Sequence, residues 1–248
     1  ESVTAARRAE QELMFTYVGT DSCRMEFISA VLDDPEPRAC GVCDNCRGAF
    51  DRVEVDGELA ARALSFLRHR PLRIDPKKQG VPKEERLEMG RALCRWGDAG
   101  WGPLVSRGKY EDEHFDDELV SALVEMIGEW APDPMPEWVA AVPSHRSGDL
   151  VPSFACRLAE ELGLAFHDIV EAVGTHPQQK SMQNSAHQRS NVEGAYRLGG
   201  PLPEGPGLLV DDLVDSGWTL TEVGRLLRRD GSGPIYPVAL GSTSARAT

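Results

Sequence analysis

Leu208, Leu209 and Val210 form an apolar tract that runs directly into two adjacent carboxylates, Asp211 and Asp212. After Leu213 and Val214 comes a turn of small and hydroxyl residues, Asp215, Ser216, Gly217, Trp218 and Thr219, and then a helical pattern over 220–229. A short apolar run bounded by turn residues reads as a buried strand. A strand over 207–210 that delivers two acids to its C-terminal end, followed by such a turn and a helix, belongs in an open parallel sheet. Ligands of such sheets bind outside the carboxyl ends of the strands. Main-chain N–H groups of the turn, with the N-terminus of the helix, make a seat for a phosphate. The acids before it can hydrogen-bond sugar hydroxyls or help to hold Mg²⁺. The plainer alternative is that Asp211 and Asp212 only end a strand and the turn merely starts a helix.

The residues around this tract continue the alternation. Asp116 caps a helix running to 130, which Pro132, Pro134 and Pro136 stop. Residues 138–142 read as a strand, 150–162 as an amphipathic helix closed by Gly163, 166–173 as a strand and 235–240 as a last strand. Between them, 176–191 is polar, without period, and too long for a simple connector. Strands separated by helices imply crossovers and a mostly parallel sheet, so an α/β domain is expected over 100–248. Two segments precede it. Residues 1–50 carry helices over 5–17 and 24–32 and then a Pro- and Gly-punctuated cysteine loop. Residues 51–99 read as a basic helical connector, with Leu59, Ala63, Phe66 and Leu67 on one face, a break at Pro71 and a second helix after Pro82.

Four of the six cysteines cluster: Cys40, Cys43 and Cys46 at two-residue spacing, and Cys23 one helix upstream. Tetrahedral zinc takes four such thiolates at about 2.3 Å and leaves no position for water, which makes the site structural. The ion would stabilise a segment too small to hold a core. A disulfide pair or an Fe–S cluster is open to the same thiols, although an intracellular setting disfavours disulfides. Cys94 and Cys156 lie in helical patterns and read as buried apolar thiols.

A net charge of −13 argues against a whole surface that wraps nucleic acid. Charge is uneven, however: between Arg62 and Arg95 there are ten Lys/Arg against four acids. That segment is either a solvated helix face or a patch that contacts phosphates through Arg68, Arg70, Arg73, Lys77, Lys78 and Lys83. No run of 18 apolar residues is present, so no membrane-spanning helix or membrane partner is expected. The N-terminus shows neither a signal peptide nor an initiator Met, which fits the C-terminal piece of a longer cytoplasmic protein, in the bacterial cytosol or nucleoid.

Cys23-Arg24 followed by Phe27-Ile28, then Cys40-Gly41, Cys43-Asp44 and Cys46, resembles the zinc-binding subdomain of RecQ-family DNA helicases. The resemblance covers about the first 50 residues. It implies an ATP-dependent DNA helicase as parent, with ATPase lobes upstream of Glu1 as partners. No Walker-type loop occurs in this chain. The tract from Leu208 to Leu220 resembles the phosphoribosyl-pyrophosphate (PRPP) signature of type I phosphoribosyltransferases. Val142, Pro143, Ser144, His145 and Arg146 resemble the pyrophosphate-facing loop of the ComF-like branch. Gln179, Met182, Gln188, Asn191 and 192–196 follow that branch's order, and Lys109-Tyr110 is similar to it as well.

This second resemblance covers roughly 100–242. It implies a phosphoribosyltransferase-type domain in which Asp211 and Asp212 meet ribose hydroxyls, while Asp215, Ser216, Gly217 and Thr219 line the 5′-phosphate pocket. Mg²⁺ would accompany PRPP. Trp218 replaces a small residue of the family, so its indole either intrudes on the pocket or covers it. Lys180, His187 and Arg189 sit in the long loop, where no catalytic residue is assigned. The first reading is therefore an accessory region of a RecQ-like helicase in DNA repair or recombination, contacting DNA and binding PRPP or another sugar phosphate. An active transferase acting on a nucleobase or other acceptor is the alternative, as is a vestigial nucleotide-sensing or protein-docking module.

Overall fold

The computed structural model describes residues 3–48, 55–143, 148–173, 192 and 194–243. It divides into two compact units, Glu1–Asp56 and Gly57–Thr248. The protein is α/β: a small helical unit carrying four cysteines, and a larger unit built on a mostly parallel sheet.

In the first unit, α1 (Val3–Gly19) and α2 (Arg24–Val31) precede a single turn, α3 (Asp44–Arg47). Arg24 ties these pieces together. Its guanidinium donates to both carboxylate oxygens of Asp44 at 2.8 and 2.9 Å and to the Tyr17 carbonyl at 2.7 Å. Asn45 donates to the carbonyls of Thr20 and Ser22 at 2.6 and 2.7 Å.

The second unit opens with α4 (Gly57–Arg68), then β1 (Leu72–Ile74) and β2 (Gly90–Arg95) with a 3₁₀ turn, Lys83–Glu85, between the strands. It continues with α5 (Gly102–Tyr110), α6 (Asp117–Trp130), β3 (Trp138–Ala141), α7 (Leu150–Leu162) and β4 (Ala165–Phe166). A separate antiparallel ribbon pairs β5 (Val170–Ala172) with β6 (Tyr196–Leu198). Last come β7 (Gly207–Val214), α8 (Trp218–Arg229) and β8 (Ile235–Ser242). The six-stranded sheet runs β1-β2-β8-β7-β3-β4, with all neighbours parallel except β1 and β2.

Helices cover both faces. Leu208 and Val210 of β7, with Val238 and Leu240 of β8, pack under Val105 of α5, Leu119, Leu123 and Ile127 of α6, and Phe154 and Leu158 of α7. On the other face Leu209 and Ala239 meet Leu220, Val223 and Leu227 of α8. Strands buried on both sides read as continuous apolar runs, which is what β3, the first half of β7 (207–210) and most of β8 (235–240) are. The helix ends follow local chemistry: the Asp116 carboxylate accepts from the Glu118 N–H at 2.8 Å, and Gly163 closes α7 at φ +67°. Gly207 is fixed by packing, because a Cβ there would stand 2.4 Å from the Trp138 ring.

Four expectations change. In place of the helix expected after Pro82 there are a 3₁₀ turn and strand β2, so Cys94 is a strand residue, and among the described residues of 51–99 the α-helix is Gly57–Arg68. Pairing with β8, more than 140 residues downstream, overrides the local pattern (Arg91↔Val238, Cys94↔Gly241). Cys94 is buried, whereas Cys156 is only half-buried. The strand expected over 166–173 is two strands: β4 stays beside β3, and after His167 donates to the Val139 carbonyl the chain leaves the sheet to form β5. The strand expected to stop at Val210 continues to Val214, because β8 pairs with it through Asp211↔Ala239 and Val214↔Ser242. No helix among the described residues is long and apolar enough to cross a membrane.

Candidate functional site

Strand β7 places its two acids on opposite faces of the sheet, since successive side chains alternate. Leu208 and Val210 face α5–α7, so Asp212 does too; there it forms a close, largely buried ion pair with Lys109 of α5. Asp211 faces the α8 side. Burial first, and then the neighbouring Asp212 charge, push its carboxyl up to about 8. Tyr196 in turn is pushed up to about 12, chiefly by burial and then by the Asp211 charge. A carboxyl that keeps its proton at neutral pH removes one negative charge from the approach of an anion and can donate a hydrogen bond.

The chain then turns. Asp215, at the surface, accepts from the Thr243 hydroxyl at 2.7 Å. Gly217 takes φ +76°, a left-handed conformation that glycine adopts without steric cost, and α8 starts from it with no side-chain cap. As a glycine, the N-cap residue offers the first turn of the helix no side chain of its own. The Thr221 N–H and hydroxyl both bond the Gly217 carbonyl, at 3.0 and 2.7 Å, which fixes the start of the helix. A small cavity of about 50 Å³ opens here, lined by Asp211, Asp215, Ser216, Gly217 and Thr219 with apolar Leu213, Val214 and Leu220.

Five residues singled out from sequence thus meet at one cavity, while Asp212 and Trp218 are not on its described lining. The Trp218 indole is buried with Val81 and Val192, because its apolar rings find a hydrophobic neighbour in the segment between β1 and β2. Lys109 was visible in sequence only as part of Lys109-Tyr110; its pairing with a residue 103 positions away had no local signal. Ser144, His145, Arg146, Lys180, His187 and Arg189 lie outside the described residues, as do Gln179, Met182, Gln188 and Asn191.

The basic segment is partly spoken for. Arg68 pairs with Glu118 at 2.8 Å and stacks over Trp101 at 4.1 Å. Arg73 pairs with Asp75 at 3.1 Å, and Arg70 lies over Phe66 at 5.7 Å. Lys78 and Lys83 are exposed, while Lys77 is half-buried beside Trp218.

In the first unit the Sγ atoms of Cys23, Cys40, Cys43 and Cys46 all lie within 4.8 Å of one another. The Cys23 and Cys43 sulfurs are 3.9 Å apart, close to the roughly 3.8 Å edge of a tetrahedron with about 2.3 Å bonds. Main-chain N–H groups already point at the sulfurs: Cys40 to Cys23 at 3.1 Å, Glu26 to Cys23 at 3.5 Å, and Cys43 to Cys40 at 3.3 Å. Donation from Cys40, then Glu26, pulls the Cys23 thiol down to about 6. Amide donation from Arg24 and Cys46 lowers the Cys43 thiol. Hydrogen bonding with Cys43 and Cys23 pushes Cys46 up to about 12. Four thiols arranged this way can hold a metal ion such as zinc.

No family model and no curated protein matches the chain. Among solved structures it is similar to a purine phosphoribosyltransferase from Pyrococcus horikoshii, at 21% identity over 53% of this chain and 76% of that one, TM-score 0.34. It is also similar to adenine phosphoribosyltransferase from Saccharomyces cerevisiae, at 14% identity over 73% and 89%, TM-score 0.38. A third is phosphoribosylpyrophosphate synthetase from Mycobacterium smegmatis, at 21% identity over 51% of this chain and 34% of that one, TM-score 0.34.

Proposed function

We propose that the α/β unit is a phosphoribosyltransferase-type domain that binds PRPP or a related sugar phosphate at the turn after β7. The observation that carries this reading is the cavity shared by Asp211, Asp215, Ser216, Gly217 and Thr219 at the carboxyl end of a parallel strand. In this reading the turn and the start of α8 hold the 5′-phosphate. Asp211 meets a sugar hydroxyl, and Mg²⁺ bound with PRPP would supply positive charge beside its pyrophosphate. Asp212, neutralised by Lys109, keeps the strand end in place from the opposite face.

Calorimetric titration with PRPP and Mg²⁺, ribose 5-phosphate and nucleotides tests the reading. Saturable binding of PRPP, lost in Gly217→Val because Val resists a left-handed φ, is the expected result. Absence of heat with every sugar phosphate overturns it. Pyrophosphate release across a panel of bases then separates a transferase from a binding module.

The wider setting we propose is the accessory region of a RecQ-like DNA helicase of the cytosol, acting in DNA repair or recombination and stapled by structural zinc. The cysteine spacing and the meeting of the four thiols support this setting. In it the exposed Lys78 and Lys83 serve as contacts to the DNA backbone, with the paired arginines Arg68 and Arg73 contributing less. One zinc per chain and DNA binding that weakens steeply with salt are the results it requires.

A further inference from the structure

Lys77 lies outside the α/β domain expected from sequence, yet its side chain reaches the turn after β7. Its Nζ stands 5.5 Å from the centroid of the Trp218 ring, within range of a cation–π contact. Its Cε is 3.8 Å from where a Cβ on Gly217 would be. Among the described residues Lys77 enters no ion pair, although Arg68, Arg73 and Arg225 nearby in sequence or space are all paired with acids.

The segment that carries Lys77 is tied down at several points. Arg86 donates to the Val81 carbonyl at 3.1 Å and to the Lys78 carbonyl at 2.9 Å, closing the chain back on itself. Glu85 of the 3₁₀ turn pairs with Arg225 of α8 at 2.8 Å. Val81 packs on Trp218 itself. The indole, which sequence alone would place in or over the pocket, is instead a platform that holds a lysine stem next to it.

We infer that Lys77 supplies the cation of this pocket, contacting the terminal phosphate of the bound sugar phosphate together with the Gly217 turn. The inference rests on the sugar-phosphate reading above and adds the group that makes the pocket select a phosphate monoester over an uncharged sugar. Turn amides hold a phosphate by direction, whereas an ammonium on a flexible stem adds a charge that follows the ligand.

The test is titration of the full chain with ribose 5-phosphate and with inorganic phosphate, using Lys77→Met, which keeps an apolar stem on the indole, alongside Lys77→Arg and, at an exposed position of α4, Arg62→Met. A charge-assisted hydrogen bond of ordinary strength corresponds to a loss of about tenfold to a hundredfold in affinity for Lys77→Met. Lys77→Arg should retain most of the affinity, Arg62→Met should match wild type, and the salt dependence of binding should be shallower in Lys77→Met. Wild-type binding that Lys77→Met leaves within twofold overturns the inference while leaving the pocket reading intact. Failure of the wild-type chain to bind either ligand overturns both. Unchanged thermal melting of Lys77→Met assigns the loss to the charge and not to the fold.

Discussion

Helix α1 is 17 residues long and, among its described residues, buries no apolar side chain: Leu13, Met14, Phe15 and Val18 are all exposed. Helix α6 is three residues shorter and buries Leu119, Val120, Ala122, Leu123, Met126 and Ile127. The difference lies in what each helix has to face. α6 lies against a sheet that is apolar on both sides, whereas in the first unit the buried apolar side chain among the described residues is that of Cys23, a member of the thiol cluster. One unit is organised by a core and the other by a point. A segment of that size cannot remove enough apolar surface from water to offset its ordering entropy, and a metal bound by four thiolates can.

The sharpest way to break this contrast is to strip the metal. A chelator, or Cys40→Ser, should abolish the cooperative melting of residues 1–56 while the α/β unit melts as before. Two-probe thermal denaturation reads both, and a common loss of both transitions would make the two units one. The converse cut is Phe154→Ala. Its ring is 1% exposed and lies edge-on to Phe115 at 5.5 Å, so truncation should cost the α/β unit about 3–5 kcal/mol in denaturant titration and leave the cysteine unit alone.

A smaller effect concerns Asp211. Its carboxyl releases its proton at about 8 in the folded protein against 3.8 as the ordinary value. The folded state therefore binds more protons across that window, and this group makes the unliganded protein less stable as pH rises through it. Asp211→Asn should flatten the fall in Tm between pH 5 and pH 8 and melt higher than wild type at pH 8. An unchanged pH profile would refute the assignment. Least of all, breaking the exposed Arg7–Glu10 pair of α1 with Glu10→Gln should move stability by no more than about 0.5 kcal/mol, because solvent screens it.

Much of this could be read ahead of the structure wherever the determinants were local. The Asp116 cap, the stop at Gly163, the strand at Trp138 and the spacing of Cys40, Cys43 and Cys46 are all short-range signals, and the fold uses each of them. The failures were long-range. A second helix is expected after Pro82, but a distant partner strand decides that Gly90–Arg95 is extended. Acids disfavour strands, so Asp211 and Asp212 suggested an end that β8 does not permit. The Lys109–Asp212 pair and the placing of Lys77 beside Gly217 depend on how helices and loops settle on the sheet, which no spacing along the chain encodes.

The margins of the sheet carry a consequence of their own. Its longest strands, β7 and β8, are interior, while the strands at the two borders are three and two residues long. Borders that short offer an incoming chain too few free N–H and C=O groups to latch onto, so the molecule is guarded against growing into ribbons through its own edges. Removing Leu72–Ile74 would uncover the six residues of β2 and convert a blunt border into a template for self-association.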